Sequence, residues 1–360
     1  MDIYFPLKNK PNFIHQKRLT IIMSILTFNA STTNRKQLSL IECPFQIMPG
    51  GRSALTSADV EKFIETKNPD ILIHSSYITR PFGKSGPVTE MNLENYVELG
   101  KRLGTKDILM HMPTSKQEYE NFQRGLSLLI DLVIKKGFNI HLEITAFAKD
   151  LRSKLELCLG ELPKSKLTKH MNDIVHDSCY ADKGRDEEHK SPIKISMQLS
   201  DDSEEIEMKI NGKALDISKP ETYQELSFKI ISDYIDELFG YIPEIYKKQF
   251  YFVPDTAHLY ADGLDGKLQV KLMDKYKDRI KYIHLNGNIS PMMCKTDKHV
   301  PIYDERNQIK ETDELSKYLS SSGFICVTEN STVSGEYSEW AKYATKYGFK
   351  LVPENKLFSM

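Results

Sequence analysis

An α/β fold, a (β/α)8 TIM barrel with an insertion between its fifth and sixth strands, is predicted by three features of the 360-residue sequence. Eight short apolar runs recur along the chain. Amphipathic, helix-like stretches separate most of them. Most runs are also continuously apolar rather than alternating, the pattern of parallel strands covered on both faces. Alternation of this kind specifies a closed barrel, and one domain of this size can build it.

The strands are expected at 19–28 (LTIIMSILTF), 38–48 (LSLIECPFQIM), 70–76 (DILIHSS), 107–112 (DILMHM), 138–145 (FNIHLEIT), 249–254 (QFYFVP), 280–286 (IKYIHLN) and 324–330 (FICVTEN). Among the helices, TSADVEKFIETK opens with Thr56 or Ser57 as a cap ahead of acidic residues. EYENFQRGLSLLIDLVIKKG puts Phe122, Leu126, Leu129, Leu132 and Val133 on one face and stops at Gly137. KLQVKLMDKYKD, TDELSKYLSSSG and SEWAKYATKYG follow the same rule. Residues 1–18 read as an N-terminal extension and 19–360 as a single barrel domain. The rhythm breaks between about 150 and 246, where DKGRDEEHKS and DDSEEIE read as solvated loops. IKISMQL and IEMKINGKALDI alternate and contain an Asn-Gly turn, which predicts a β-hairpin. YQELSFKIISDYIDELFGYI is an amphipathic helix of the barrel, so 151–218 is the insertion.

Composition narrows the function. The formal net charge is -1, so an anionic partner must be held by a local field rather than by total charge. The cysteines Cys43, Cys158, Cys179, Cys294 and Cys326 are odd in number and form no C-x-x-C pair, which argues against a disulfide framework or a cysteine zinc finger. A reducing, intracellular location (cytoplasm or nucleus) follows. No apolar run approaches the ~20 residues of a membrane-spanning helix, so no membrane partner is expected. Lys17-Arg18 ahead of LTIIMSILTFNAS mimics a signal peptide, but the rhythm makes that run the first core strand.

In a parallel barrel the chemistry lies at the C-terminal ends of the strands. Strand three ends at His74, strand four at His111, strand five at Glu143 and strand six at Asp255, with His258 just after; strand seven ends at His284, its loop carries Asp297 and His299, and strand eight ends at Glu329. Singly, each has a bland explanation: a hydrogen-bonded rim histidine, a carboxylate paired with a lysine, or, for Asp255, a helix cap. Together on one mouth their carboxylates would repel, and a cation removes the conflict. These nine nitrogen and oxygen ligands suit zinc or manganese, and they exceed the capacity of one ion, so two or three are implied. Three dications against four carboxylates leave about +2, enough to hold a phosphodiester. His15, His170, His176 and His189 are read as surface residues, and His141 as a strand-interior one.

These residues resemble the endonuclease IV family, zinc-dependent AP endonucleases on a (β/α)8 barrel. The match lies in HSSY, HMPTS, LEITA, VPDTAHLYADGLD, IHLNGN, DKH and TEN, in that order over most of 38–332. The resemblance implies three zinc ions (manganese at one position as an alternative). One would use His74, His111 and Glu143. The second would share Glu143 and add Asp255, His284 and Glu329. The third would use His258, Asp297 and His299. Glu143 and Glu329 are the candidate catalytic carboxylates. The implied reaction is hydrolysis 5′ to an abasic site in duplex DNA during base excision repair, with 3′-phosphodiesterase activity as a companion. Arg52 and Tyr77 match the residues that the family wedges into DNA, and the protein is expected to act as a monomer. The sequence departs from the family at Met112-Pro113, Ile144 and Gly287, where the family has Pro-Gly, Asn and Asp. The rival readings are a metal-dependent sugar isomerase or epimerase on a related barrel, and a non-enzymatic interaction protein with a decayed site.

Overall fold

The computed structural model describes residues 23–30, 45–49, 56–61, 70–83, 86–113, 118, 121–144, 195–199, 206–210, 213–215, 220–290, 292, 298–329 and 337–352. The expected extension at 1–18 lies outside them, as do Arg52, Asp297 and most of the 151–218 insertion.

Eight parallel strands form a ring. They are β1 (Ile25–Ala30), β2 (Phe45–Ile47), β3 (Ile71–His74), β4 (Asp107–His111), β5 (Asn139–Glu143), β9 (Phe250–Val253), β10 (Tyr282–His284) and β13 (Ile325–Thr328). Their order is β10-β13-β1-β2-β3-β4-β5-β9. The remaining edge is closed by a parallel bridge between Asp255 and His284, supported by His284 N–H donating to the Pro254 carbonyl at 3.0 Å. The fold is therefore a closed (β/α)8 barrel, and all eight expected strands are present. The apolar run after Lys17-Arg18 supplies β1, inside the ring between β13 and β2. A short strand, β14 (Lys350–Leu351), also pairs with β1 at Ile25 and Leu26, below the Asn29–Ala30 segment that pairs with β2.

The described helices are α1 (Ser57–Val60), α2 (Pro87–Leu103), α3 (Phe122–Leu132), α4 (Pro220–Gly240), α5 (Thr256–Ala261), α6 (Gly266–Lys275), α7 (Thr312–Ser321) and α8 (Tyr337–Tyr347). α2 ends at Gly104 in the left-handed conformation (φ 78°), which glycine adopts without strain. Among the described residues no helix is long and apolar enough to cross a membrane.

Between β5 and α4 lie β6 (Ile195–Leu199), β7 (Ile206–Ile210) and β8 (Lys213–Leu215), an antiparallel sheet of three strands. The expected hairpin is thus one strand short of the observed sheet, because IEMKINGKALDI carries two strands, β7 and β8, that pair with each other. After β10, the short strands β11 (Gly287–Asn288) and β12 (His299–Val300) pair antiparallel and bring His299 back toward the end of β10.

Strand periodicity sorts the side chains. Ile71, Ile73, Ile108, Met110, Ile140, Leu142 and Ile283 face outward into the main core with Leu99, Leu129, Leu272, Leu315 and Trp340 from the helices. Their alternates Leu72, Leu109, Val253, Tyr282 and Val327 form a separate cluster inside the barrel. His74, His111, Glu143 and His284 are two residues further along from interior positions of the same strands, so they top the barrel interior.

Candidate metal centre at the barrel mouth

The helix cap and the site residue proposed for Asp255 turn out to be the same group. Asp255 Oδ1 accepts from Ala257 N at 2.7 Å and His258 N at 3.1 Å, capping α5. Asp255 Oδ2 faces the mouth, 3.6 Å from His284 Nδ1 and 2.8 Å from Asn286 Nδ2. The cap fixes the carboxylate and the first turn of α5 delivers His258 beside it. Asp265, by contrast, only caps α6, accepting from Leu268 N at 3.1 Å.

Eight of the nine expected ligands converge, and the ninth, Asp297, lies outside the described residues. They fall into overlapping groups whose ligand atoms lie within 4.8 Å of one another: His74, His111 and Glu143; Glu143, Asp255, His284 and Glu329; Asp255, His258 and His299; and His74, His284 and Glu329. Glu143 is central. Its Oε2 lies 3.3 Å from His74 Nε2 and 3.4 Å from His111 Nε2, and its Oε1 lies 3.0 Å from His284 Nδ1 and 3.5 Å from His258 Nδ1. His299 joins through Nδ1, 3.7 Å from Glu329 Oε2, and its ring packs on His258 with centroids 5.0 Å apart. The sequence grouped His258 with His299 through Asp297; among the described residues the carboxylate they share is Asp255.

Burial is graded across the site. His74, Glu143, Asp255 and His284 are buried, whereas the side chains of Glu329, His111 and His299 are 13%, 21% and 23% exposed. The imidazoles of His111 and His299 thus lie nearer the surface than the carboxylates of Glu143 and Asp255.

Imidazoles and carboxylates shift one another strongly across the site. Burial alone would raise Glu143, but His284, His258 and His74 outweigh it and hold its carboxyl well below the usual range. Asp255 is likewise lowered, burial being outweighed by His258, His299 and His284. Burial alone would lower His284, but Glu329, Glu143 and Asp255 hold it well above an ordinary imidazole. His111, lacking that ring of carboxylates, is pushed down to about 4 by burial, with only Glu143 opposing. Glu143 Oε2 is buried with no hydrogen-bond partner, although such an oxygen ordinarily demands one. An orphaned carboxylate oxygen facing two imidazole nitrogens fits a cation ligand.

Gln46, from the run CPFQIM, was not expected here. It is fully buried and bonds both His284 and Glu329. A polar residue inside an apolar strand was the available signal. Asn286 bonds Asp255 Oδ2, and its Oδ1 accepts from Glu329 N at 3.1 Å. Tyr77 lies at the rim, 51% exposed, with its ring stacked on His111 at 4.9 Å. His141 is fully buried on the same side of β5 as Glu143, yet it bonds Asp107 and is absent from the ligand groups.

The departures at 144 and 287 have local explanations. Ile144 contributes its carbonyl, 2.9 Å from His258 Nδ1, a contact indifferent to the side chain. At Gly287 a Cβ would sit 2.9 Å from Asn307 Cγ and from the Pro301 carbonyl oxygen, so the strand that pairs with the His299 segment leaves no room for one.

No family model and no curated protein matches the chain. Solved structures similar to it include endonuclease IV from Thermus thermophilus, at 13% identity over 89% of this chain and 99% of that one with a TM-score of 0.48. A xylose isomerase domain protein from Planctomyces limnophilus aligns at 9% identity over 91% and 98%, TM-score 0.47. The 3-keto-D-glucoside 4-epimerase from E. coli aligns at 10% identity over 89% and 98%, TM-score 0.45. Overlaps this loose carry no argument of their own, and the barrel stands on the closed strand ring: the chain is a (β/α)8 barrel whose mouth carries histidine–carboxylate clusters able to hold metal ions.

Proposed function

We propose that this chain is a zinc-dependent AP endonuclease of base excision repair, hydrolysing the phosphodiester 5′ to abasic sites in duplex DNA, with 3′-phosphodiesterase activity on blocked ends as a companion. The observation that carries the reading is the sharing of Glu143 between two adjacent ligand groups, with a third group alongside at His258 and His299. Adjacent zinc ions in such a centre would supply an acidified water and neutralise charge on the phosphate. His74, His111 and Glu143 would hold one ion. Glu143, Asp255, His284 and Glu329 would hold the second. His258 and His299 would hold the third, with Asp255 or the Asp297 expected from the sequence. The partly exposed rim orients the phosphate over the buried carboxylates. Tyr77 would stack beside the abasic nucleotide, whose extrusion costs little because no base must be unstacked. Arg52 is proposed as a second DNA contact.

An incision assay on a duplex with one synthetic abasic site tests this. Metal-replete protein is expected to nick 5′ to the site and to stop when a chelator is added; no nick rejects the proposal. A sugar isomerase or epimerase would need only the complete four-residue group around His284. Metal counting separates the readings: three zinc ions support the nuclease, and one or two manganese or magnesium ions support the isomerase.

A further inference from the structure

Among the described contacts, three histidines of the mouth have one ring nitrogen held by a neutral acceptor. His74 Nδ1 lies 2.8 Å from the Ser75 carbonyl oxygen, and His258 Nδ1 lies 2.9 Å from that of Ile144. A carbonyl only accepts, so each Nδ1 carries the hydrogen and each Nε2 keeps its lone pair. His284 is turned the other way. Its Nδ1 faces Glu143 Oε1, Asp255 Oδ2 and Glu329 Oε2 at 3.0, 3.6 and 3.5 Å, while its Nε2 lies 2.8 Å from Gln46 Oε1.

The direction of the Gln46 amide follows from its second neighbour. Gln46 Nε2 lies 3.1 Å from Glu329 Oε1. An ionised carboxylate only accepts, so the amide's NH2 end faces Glu329 and its carbonyl end faces His284. When the His284 ring is neutral, Nε2 therefore keeps the hydrogen and Nδ1 presents its lone pair among three carboxylates, the form a cation ligand requires. Glu329 is held from both sides, Oε1 by Gln46 and Oε2 by Asn286 Nδ2 at 3.4 Å.

We infer that Gln46 is a positioning residue of this centre: it fixes His284 in the Nε2–H tautomer and aims Glu329, so that both present to one cation. The inference rests on the mouth being a metal centre. Two of the three tautomer locks are backbone carbonyls, which no substitution removes. Gln46 is the one made by a side chain, reaching from β2 to β10 and to the residue after β13.

Zinc titration against a competing chelator, with ¹⁵N spectra of the histidine rings in zinc-loaded protein, tests it on two variants. Gln46→Met keeps the volume and removes both bonds. It is expected to lose about 10- to 100-fold in zinc affinity, the range for an outer-shell partner, and to shift the His284 ring nitrogens away from the Nε2–H pattern. Gln46→Glu keeps an acceptor opposite Nε2–H but sets a carboxylate against Glu329. It is expected to retain the His284 pattern while affinity falls. A folded Gln46→Met protein with wild-type affinity and an unchanged His284 pattern overturns the inference. If that variant does not fold, wild-type affinity in Gln46→Glu overturns it. Failure of the metal-centre reading looks different: the wild-type protein itself then takes up no zinc, and the inference falls with it.

Discussion

Among the described residues, histidine and carboxylate meet twice inside this barrel, once at the mouth and once near the floor, and the two places solve the same electrostatic problem differently. At the floor, Asp107 at the start of β4 is almost fully buried. Its Oδ1 accepts from Asn139 Nδ2 and His141 Nε2, both at 2.9 Å, and its Oδ2 accepts from Lys281 Nζ at 2.6 Å and Tyr282 OH at 3.0 Å. Burial alone would raise this carboxyl, but His141 and Lys281 outweigh it and hold it far below the usual range. Tyr251 stacks on the His141 ring at 4.8 Å. Of these polar atoms only His141 Nδ1 lacks a partner. At the mouth, Glu143, Asp255 and Glu329 crowd around His284 with no lysine or arginine in their ion pairs among the described residues, and a carboxylate oxygen of Glu143 is orphaned. The floor carries its own cation and is structural. The mouth has imidazoles but no lysine or arginine in its ion pairs among the described residues, and its donor set suits a metal cation. Buried histidine and carboxylate alone do not mark a metal site; an unbalanced charge among them does.

The largest expected effect breaks the mouth without breaking the fold. Glu143→Gln removes the shared ligand, so abasic-site incision should fall on the order of 10³-fold or more, beyond the loss of a single electrostatic donor. The histidines that hold Glu143 ionised lose their partner with it, so stability of the metal-free protein should fall as well, by about 1–3 kcal/mol. Unchanged metal-free stability would mean that the histidines do not compensate Glu143 and that only a cation does.

Metal removal is the next lever. A cation present at ~1,000 times its Kd stabilises the folded chain by about 4 kcal/mol. Chelation should therefore lower the melting temperature of the wild type and leave Glu143→Gln little changed, by calorimetry with and without chelator. An unaltered wild-type transition would remove the distinction between the two regions.

The floor should respond in the opposite sense. Asp107→Ala strands His141 and Lys281 and should cost about 3 kcal/mol, the lower end for a broken buried pair because Lys281 keeps solvent contact. Zinc content should remain that of the wild type. The depressed Asp107 carboxyl also has a pH signature. Its folded value lies below the unfolded value of about 3.9, so its contribution is present above that pH and is lost as pH falls through the folded value. Denaturant unfolding from pH 6 downward should show a shallower acid decline in Asp107→Asn than in wild type; superimposable slopes would deny Asp107 this role.

The smallest effect concerns the rim. Tyr77→Ala should weaken binding of abasic duplex by about 1–3 kcal/mol, the worth of one stacking platform, at unchanged zinc content. A drop in zinc content instead would make Tyr77 a packing support for His111, on which its ring lies.

Much of this was legible in the linear chain. Strand ends can be read from apolar runs, and barrel physics puts strand ends at one mouth, so His74, His111, Glu143, His284 and Glu329 could be nominated without coordinates. The Asp255-to-His258 spacing was legible as a cap, and capping itself turns that carboxylate toward the mouth. Pairings between atoms were not legible. Strand period assigns a side chain to the inside but not to a level, because level depends on the stagger between neighbouring strands, which only hydrogen-bonded register fixes. Hence Glu143 and His141 share one face of β5 yet serve opposite ends of the barrel. Hence also Gln46, on a strand of three residues, meets His284 from a strand 238 positions away in sequence. The sequence by itself determined which chemistry the rim could offer. Closing the ring, with Asp255 bridged to His284, decided which oxygens are shared, which nitrogen carries the hydrogen, and which cluster meets imidazoles rather than a lysine.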